Sequence, residues 1–139
     1  SARLFKAYTD AGKQVRQETG GFYIEPTVFT RVDNRMTIAR EEIFGPVLSA
    51  ITFKTPEEAL QLANDSSYGL EANLWTNDLS RAHKFARALR AGTVTVNTRD
   101  GGGIEVPFGG YKQSGFGRDK SLHALHKYTQ LKTTYISVG

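Results

Sequence analysis

The stretch TPEEALQLANDSSYGLEANLWTNDLSRAHKFARALRAGTVTVN, from Thr55 to Asn97, decides the fold. It opens on Thr55-Pro56-Glu57-Glu58, a capping box with proline at the first helical position. The Thr55 hydroxyl is placed to accept from the Glu58 amide, and the Glu58 carboxylate to reach back to the Thr55 amide. At 100° per residue, Ala59, Leu60, Leu62 and Ala63 share one face, and Glu57, Glu58, Gln61, Asn64 and Asp65 the other. Tyr68-Gly69 ends this unit, and Leu70 to Thr76 reads as a strand. A second amphipathic helix is expected from Leu79 to Ala91, capped by Asn77 or Asp78 and closed by Gly92 in a left-handed conformation. It turns Ala82, Phe85, Ala86 and Leu89 inward and Arg81, Lys84, Arg87 and Arg90 outward. Thr93 to Asn97 is a short β-branched strand. Helices alternating with strands at this spacing predict an α/β layer built from parallel crossovers.

On the N-terminal side, residues 2–18 read as a mostly polar helix stopped by Gly20-Gly21. Phe22 to Thr30 reads as extended chain, pushed towards a sheet edge by Pro26, and Val47 to Phe53 as a strand. On the C-terminal side, residues 98–117 are glycine-rich and irregular. Leu122 to Tyr128 is expected to be helical, and Leu131 to Val138 to form a terminal strand. There is no internal repeat and no low-complexity tract.

The 139 residues suffice for one domain with a core. Apolar runs of a few residues fall far short of the ~20 needed to span a bilayer, so no membrane partner is expected, and no secretory leader is visible. The absence of cysteine rules out disulfides, thiolate metal sites and thiol nucleophiles within these residues. It fits a reducing compartment, here the cytoplasm. Charge is uneven: Ser1 to Ser80 carries 8 basic against 11 acidic side chains, and Arg81 to Gly139 carries 10 against 3. An isoelectric point of about 9.4 raises nucleic-acid binding as a reading. No continuous Lys/Arg run or aromatic–basic signature supports it, and the helix pattern makes much of the basic surface a solvated face. No nucleic-acid partner is expected.

Most catalytic templates are absent. Lys112 stands where a nucleophile elbow around Ser114 needs glycine. There is neither a P-loop nor a G-x-G-x-x-G fingerprint. His123 and His126 lack a third ligand, so no metal site is expected. Glu41 and Glu42, adjacent in an extended segment, point to opposite sides and make no acid–base dyad. No catalytic residue is assigned to the chain.

Three segments speak differently: Glu41-Glu42-Ile43-Phe44-Gly45-Pro46-Val47, Gly92-Thr93-Val94-Thr95-Val96-Asn97 and Pro107-Phe108-Gly109-Gly110-Tyr111-Lys112-Gln113-Ser114-Gly115. In order, spacing and content they resemble the aldehyde dehydrogenase family. The flanking Gly21 to Phe29, Asn64 to Leu70 and Tyr128 to Thr133 agree. The stretch from Phe108 to Thr134 looks most similar to the subgroup acting on amino-aldehydes and γ-glutamyl-aminoaldehydes.

The resemblance implies the C-terminal part of the family's α/β catalytic domain over residues 1–128 and an oligomerisation strand over 129–139, hence a homo-oligomer. It implies NAD or NADP as cofactor and a small aldehyde as substrate. Glu42 then accepts hydrogen bonds from the ribose hydroxyls beside the nicotinamide, since a carboxylate offers two acceptors to a vicinal diol. Phe44 packs beside the nicotinamide. Phe108 lines the substrate tunnel, Asn97 supports it, and residues Thr98 to Glu105 form the loop that varies with substrate. Gln130 stands where many relatives carry a glutamate paired with an arginine, here Arg118, which predicts a neutral hydrogen bond instead.

In that family a cysteine thiolate attacks the aldehyde, hydride passes to NAD(P)+, and a glutamate-activated water hydrolyses the thioester. The nucleophile, the general base and the dinucleotide-binding fold all lie upstream of Ser1 in the family's pattern, so this chain alone is expected to be an inactive fragment. The alternative is a non-catalytic α/β module that associates through its last strand.

Overall fold

A computed structural model describes residues 14–21 and 23–139. The chain divides between Asp65 and Ser66 into two compact units, each an α/β arrangement.

In the first unit, β1 (Gln14–Val15) pairs antiparallel with β2 (Tyr23–Ile24). The helix expected over residues 2–18 falls mostly outside the described residues, and its described end is instead β1 followed by a 3-10 turn at Gln17–Thr19. Pro26, which has no N–H to donate, separates β2 from β3 (Thr27–Phe29), so the expected continuous segment is two strands. Strand β3 runs parallel to β4 (Val47–Ser49), with Thr27 opposite Val47, and a one-turn helix α1 (Thr37–Arg40) lies between them in sequence.

Helix α2 (Pro56–Asn64) then starts where the capping box places it. The Thr55 hydroxyl accepts from the Glu58 amide at 3.2 Å. The Glu58 carboxylate reaches one residue further back than expected and accepts from the Lys54 amide at 2.7 Å. Such a cap is worth about 1 kcal/mol. Ala59, Leu60 and Leu62 are partly buried, as the periodicity requires, but Ala63 is exposed and Glu58 and Asn64 are half-buried.

The second unit is built on a parallel crossover. Strand β6 (Glu71–Leu74) and strand β7 (Thr93–Val96) pair in register Glu71↔Thr93 to Leu74↔Val96, connected through helix α3 (Leu79–Ala88). Asp78 is the cap, accepting from the Arg81 amide at 2.9 Å. Phe85 is buried, and Ala82 and Leu89 are half-buried, whereas Ala86 is exposed. Arg81, Lys84, Arg87 and Arg90 are exposed.

The helix ends three residues before the expected boundary, and Gly92 is not left-handed. Its requirement is space: a Cβ there would collide with the Gly109 carbonyl. Thr95 is the buried polar residue of β7, its hydroxyl 2.6 Å from Asn73 Oδ1 and 2.8 Å from the Thr98 carbonyl.

A pairing that the periodicity does not reveal joins β5 (Tyr68–Gly69) to β8 (Tyr111–Lys112), antiparallel, inside the glycine-rich region read as irregular. Leu122–Lys127 is a 3-10 helix, capped by the Ser121 hydroxyl. Residues 129–139 form no strand ladder with the described residues. Leu131, Tyr135, Ile136 and Val138 stand exposed there. A strand exists only against a partner, and the described residues offer none to this segment. No helix among the described residues is long and apolar enough to cross a membrane.

Candidate functional site

The segment Glu41–Pro46 is the connection from α1 to β4. Its two ends are held by backbone geometry. Glu41 closes α1 by donating its amide to the Thr37 carbonyl at 2.9 Å. At the far end, the Thr27 amide donates to the Pro46 carbonyl at 2.9 Å, and Val47 enters the parallel ladder.

Between these ends Glu42 and Phe44 turn outward, while Ile43 is half-buried. Glu42 is exposed and makes no hydrogen bond or ion pair to a described residue. The Phe44 ring is 91% exposed, on a backbone with φ of +58°. That conformation is uncommon for a bulky residue and marks a site under local constraint.

Glu42 and Phe44 line one cavity of about 360 Å³ with Ile38, Ile43, Val47 and Ser49. Glu41 adds a second carboxylate to the lining, so the wall mixes apolar side chains with acidic and hydroxyl groups, a combination that suits a flat aromatic ring attached to a diol-bearing sugar. Ile38 and Ser49 are separated by eleven residues and join the wall only because β4 lies next to α1; nothing in the local sequence marks either.

The second unit holds the other two candidates. Phe108 is half-buried, its backbone bridged to Asp119 by two hydrogen bonds of 2.8 and 2.7 Å. The Lys120 ammonium sits 5.7 Å from the centre of its ring. Phe108 lines a cavity of about 180 Å³ together with Glu71, Arg99, Asp100, Val106 and Lys120. Arg99 and Asp100 from the loop following β7, with Glu71 and Lys120, thus give four charged side chains to a wall that an apolar motif alone does not disclose.

Asn97 is not part of that lining. Its Oδ1 accepts from the Thr76 amide and its Nδ2 donates to the Thr76 carbonyl, both at 2.8 Å. With φ of +57°, a conformation asparagine tolerates, it clasps the ends of β6 and β7. Its amide acts on the backbone that frames the loop.

The Pro107–Gly115 segment is tied inward. The Ser114 hydroxyl accepts from the amide of buried Gly69 at 3.0 Å, and the Lys112 ammonium donates to the Ser66 carbonyl at 2.8 Å. Arg118 donates to the Gly110 carbonyl at 3.1 Å and the Gly117 carbonyl at 2.6 Å, and its guanidinium lies 5.4 Å from the Tyr111 ring. The expected Arg118–Gln130 hydrogen bond is not made. The guanidinium is taken up by two carbonyls and an aromatic face, and Gln130 lies in the exposed tail.

Among the described residues, no group of three acidic or histidine side chains could hold a metal ion. His123 Nδ1 lies 3.0 Å from the Ser121 hydroxyl that caps the same short helix.

Comparison with known proteins agrees with the segments that carry the resemblance. The model of the family described as "Aldehyde dehydrogenase family" matches residues 4–134. The NADP/NAD-dependent aldehyde dehydrogenase PuuC of Escherichia coli (strain K12) is 62% identical over 115 residues, 83% of this chain and 23% of that protein. Among solved structures, an indole-3-acetaldehyde dehydrogenase complexed with NAD+ aligns with a TM-score of 0.85 at 59% identity, over 98% of this chain and 29% of its own. The gamma-glutamyl-gamma-aminobutyraldehyde dehydrogenase of Burkholderia cenocepacia J2315 aligns with a TM-score of 0.81 at 62% identity, over 88% of this chain and 25% of its own. The chain therefore spans about a quarter of the length of the relatives it matches.

Proposed function

As the chain belongs to the aldehyde dehydrogenase family, we propose that it forms the nicotinamide-ribose wall, part of the substrate wall and an assembly edge of an enzyme oxidising an aldehyde to a carboxylic acid with NAD(P)+. The observation that carries this reading is the outward presentation of Glu42 and Phe44 on one cavity, from a loop held at both ends. The nicotinamide cofactor, when bound, supplies the hydride acceptor.

The residues here fit that group by their chemistry. The Glu42 carboxylate has its acceptors uncommitted to described residues and can take two hydroxyl donors of a ribose. Phe44 offers an unburied aromatic face that restricts where a flat ring rests. Neither residue moves a proton or an electron pair; both hold geometry, which is where much of the rate of a cofactor-dependent enzyme is set.

Phe108 forms an apolar side of the substrate wall, and Asn97 supports it through Thr76 rather than by touching substrate. No cysteine is present among the 139 residues. The nucleophile is therefore assigned outside them, and the family's pattern assigns the general base there too, so the 139 residues alone are expected to reduce no NAD(P)+ with any aldehyde. The exposed apolar run at Leu131, Tyr135, Ile136 and Val138 supports pairing of residues 129–139 with a second subunit, since an uncovered patch of this kind calls for a partner. A non-catalytic association module uses the same edge but leaves the Glu42–Phe44 cavity without a role.

The test is Glu42→Gln in the full-length enzyme, followed by absorbance of reduced nicotinamide. Turnover is expected to fall about tenfold or more, with a smaller change in aldehyde KM, because placement and not substrate affinity is disturbed. Unchanged kinetics rule out the assignment of Glu42 to the cofactor. Aldehyde-dependent turnover by the 139 residues alone rules out the assignment of the chemistry to residues beyond them.

A further inference from the structure

Glu42 does not hold itself in place. No described residue gives its carboxylate a hydrogen bond or an ion pair, so its position is inherited from the backbone that leads into it. That backbone is α1, a single turn whose own hydrogen bonds are too few to hold it.

Its last residue, Arg40, is fixed from outside. Arg40 Nη1 donates to the Asp65 carbonyl at 2.8 Å and to Asp65 Oδ1 at 3.1 Å, and Nη2 donates to Asp65 Oδ2 at 2.7 Å. Asp65 is the C-terminal cap residue of α2, its amide donating to the Gln61 carbonyl at 2.9 Å. Asn34 fastens the start of the same stretch to the same place, donating to the Leu62 carbonyl at 3.0 Å and to Asp65 Oδ2 at 3.3 Å.

We infer that Arg40, through its forked contact with Asp65, is the positioning residue that sets the Glu42 carboxylate for the nicotinamide ribose; this rests on the reading of Glu42 given above. The path is short: one side-chain clamp, then two steps along the backbone. The guanidinium is clamped to the capped end of α2, the Glu41 amide is tied back to Thr37, and Glu42 is the next residue. Phe44 has a separate anchor, the β4 side of the loop, where Pro46 and Val47 are tied to β3.

The pair is built for direction rather than stability. Its side chains are 38% and 57% exposed, a setting in which an ion pair contributes little to folding. Two parallel N–H···O contacts nevertheless fix the plane of the guanidinium in a way a single ammonium contact cannot.

The experiment compares Arg40→Met, Glu42→Gln and the double variant in the full-length enzyme, reading kcat, the KM values for NAD+ and aldehyde, and the thermal midpoint. Arg40→Met is expected to lower kcat on the order of tenfold, with the aldehyde KM nearly unchanged and the midpoint little moved. The double variant is expected to be no slower than Glu42→Gln alone, because the group that Arg40 orients is already disabled. Arg40→Lys, which keeps the charge and loses the fork, is expected to recover only part of kcat; it also serves if Arg40→Met does not fold.

A double variant slower by the product of the two single effects overturns the inference, as does full recovery of kcat by lysine. Arg40→Met with normal kcat beside an impaired Glu42→Gln overturns the inference while leaving Glu42 in its role. A normal Glu42→Gln overturns both.

Discussion

Glu41–Val47 and Pro107–Gly115 carry the resemblance equally well as strings of letters, yet the fold uses them in opposite ways. The first is a loop held at its ends, with its side chains released to solvent: Glu42 uncommitted to any described residue, Phe44 91% exposed. The second is a loop held along its length. Gly110 and Gly69 are buried, Ser114 satisfies the Gly69 amide, and a Cβ on Gly92 would strike Gly109. Exposure alone assigns no role, but a carboxylate and a ring held outward over one cavity by a loop tied at both ends support the ligand proposed for them. A residue whose side chain closes a backbone contact already has its reason. The difference separates the proposed site from the scaffold within one family-like sequence.

The largest expected effect lies in the scaffold loop. Gly92→Ala in the full-length protein drives a methyl group into the Gly109 carbonyl and is expected to cost about 3 kcal/mol or more, read as a drop in the urea midpoint. A midpoint within error of the parent would show that the two backbones part readily, and the contrast between the loops would collapse.

Ser114→Ala follows. It leaves the buried Gly69 amide without its acceptor, for an expected loss of about 1–2 kcal/mol, while turnover per folded molecule stays near normal. Phe44→Ala sharpens the contrast from the other side. At 91% exposure its stability cost is expected to be within about 0.5 kcal/mol, yet turnover falls. If Ser114→Ala lowered turnover and Phe44→Ala lowered stability, the roles of the two loops would be reversed.

The smallest effect concerns charge beside the first loop. Asp33 accepts from the Arg35 side chain and backbone amide, and this holds its carboxyl at about 2 against an ordinary 3.8. A carboxyl lowered on folding adds stability above the ordinary value and loses it as pH falls from 3.8 towards 2. Both partners are largely solvated, so the acid limb of a stability curve is expected to shift only slightly in Arg35→Gln. NMR titration of Asp33 is expected to show its midpoint rising towards 3.8; an unmoved midpoint breaks the attribution to Arg35.

The signals legible in the sequence were those whose physics is local. The Thr55 and Asp78 caps and the helices they start follow from capping and periodicity within a dozen residues, and the β6–α3–β7 crossover from the alternation of such local units. Glu42 and Phe44 were marked by motif, and no periodicity could have marked them, since an exposed carboxylate and ring leave no trace in an apolar pattern. Periodicity misplaced Ala63 and Ala86, because a face is buried only where a neighbour covers it.

By itself, then, the sequence determined the α/β class, the family and where α2 and α3 begin, because hydrogen bonds within one turn and hydrophobic spacing along one element need no distant partner; the one-turn helix α1, which has no side-chain cap, it did not mark. Only the tertiary structure decided that Gly92 is there for space and not for a turn, that β5 finds β8 across more than forty residues, that Asn97 clasps Thr76, and that Arg40 reaches Asp65. Each of these joins groups far apart in the chain, and distance along a sequence carries no information about which carbonyl a side chain will meet.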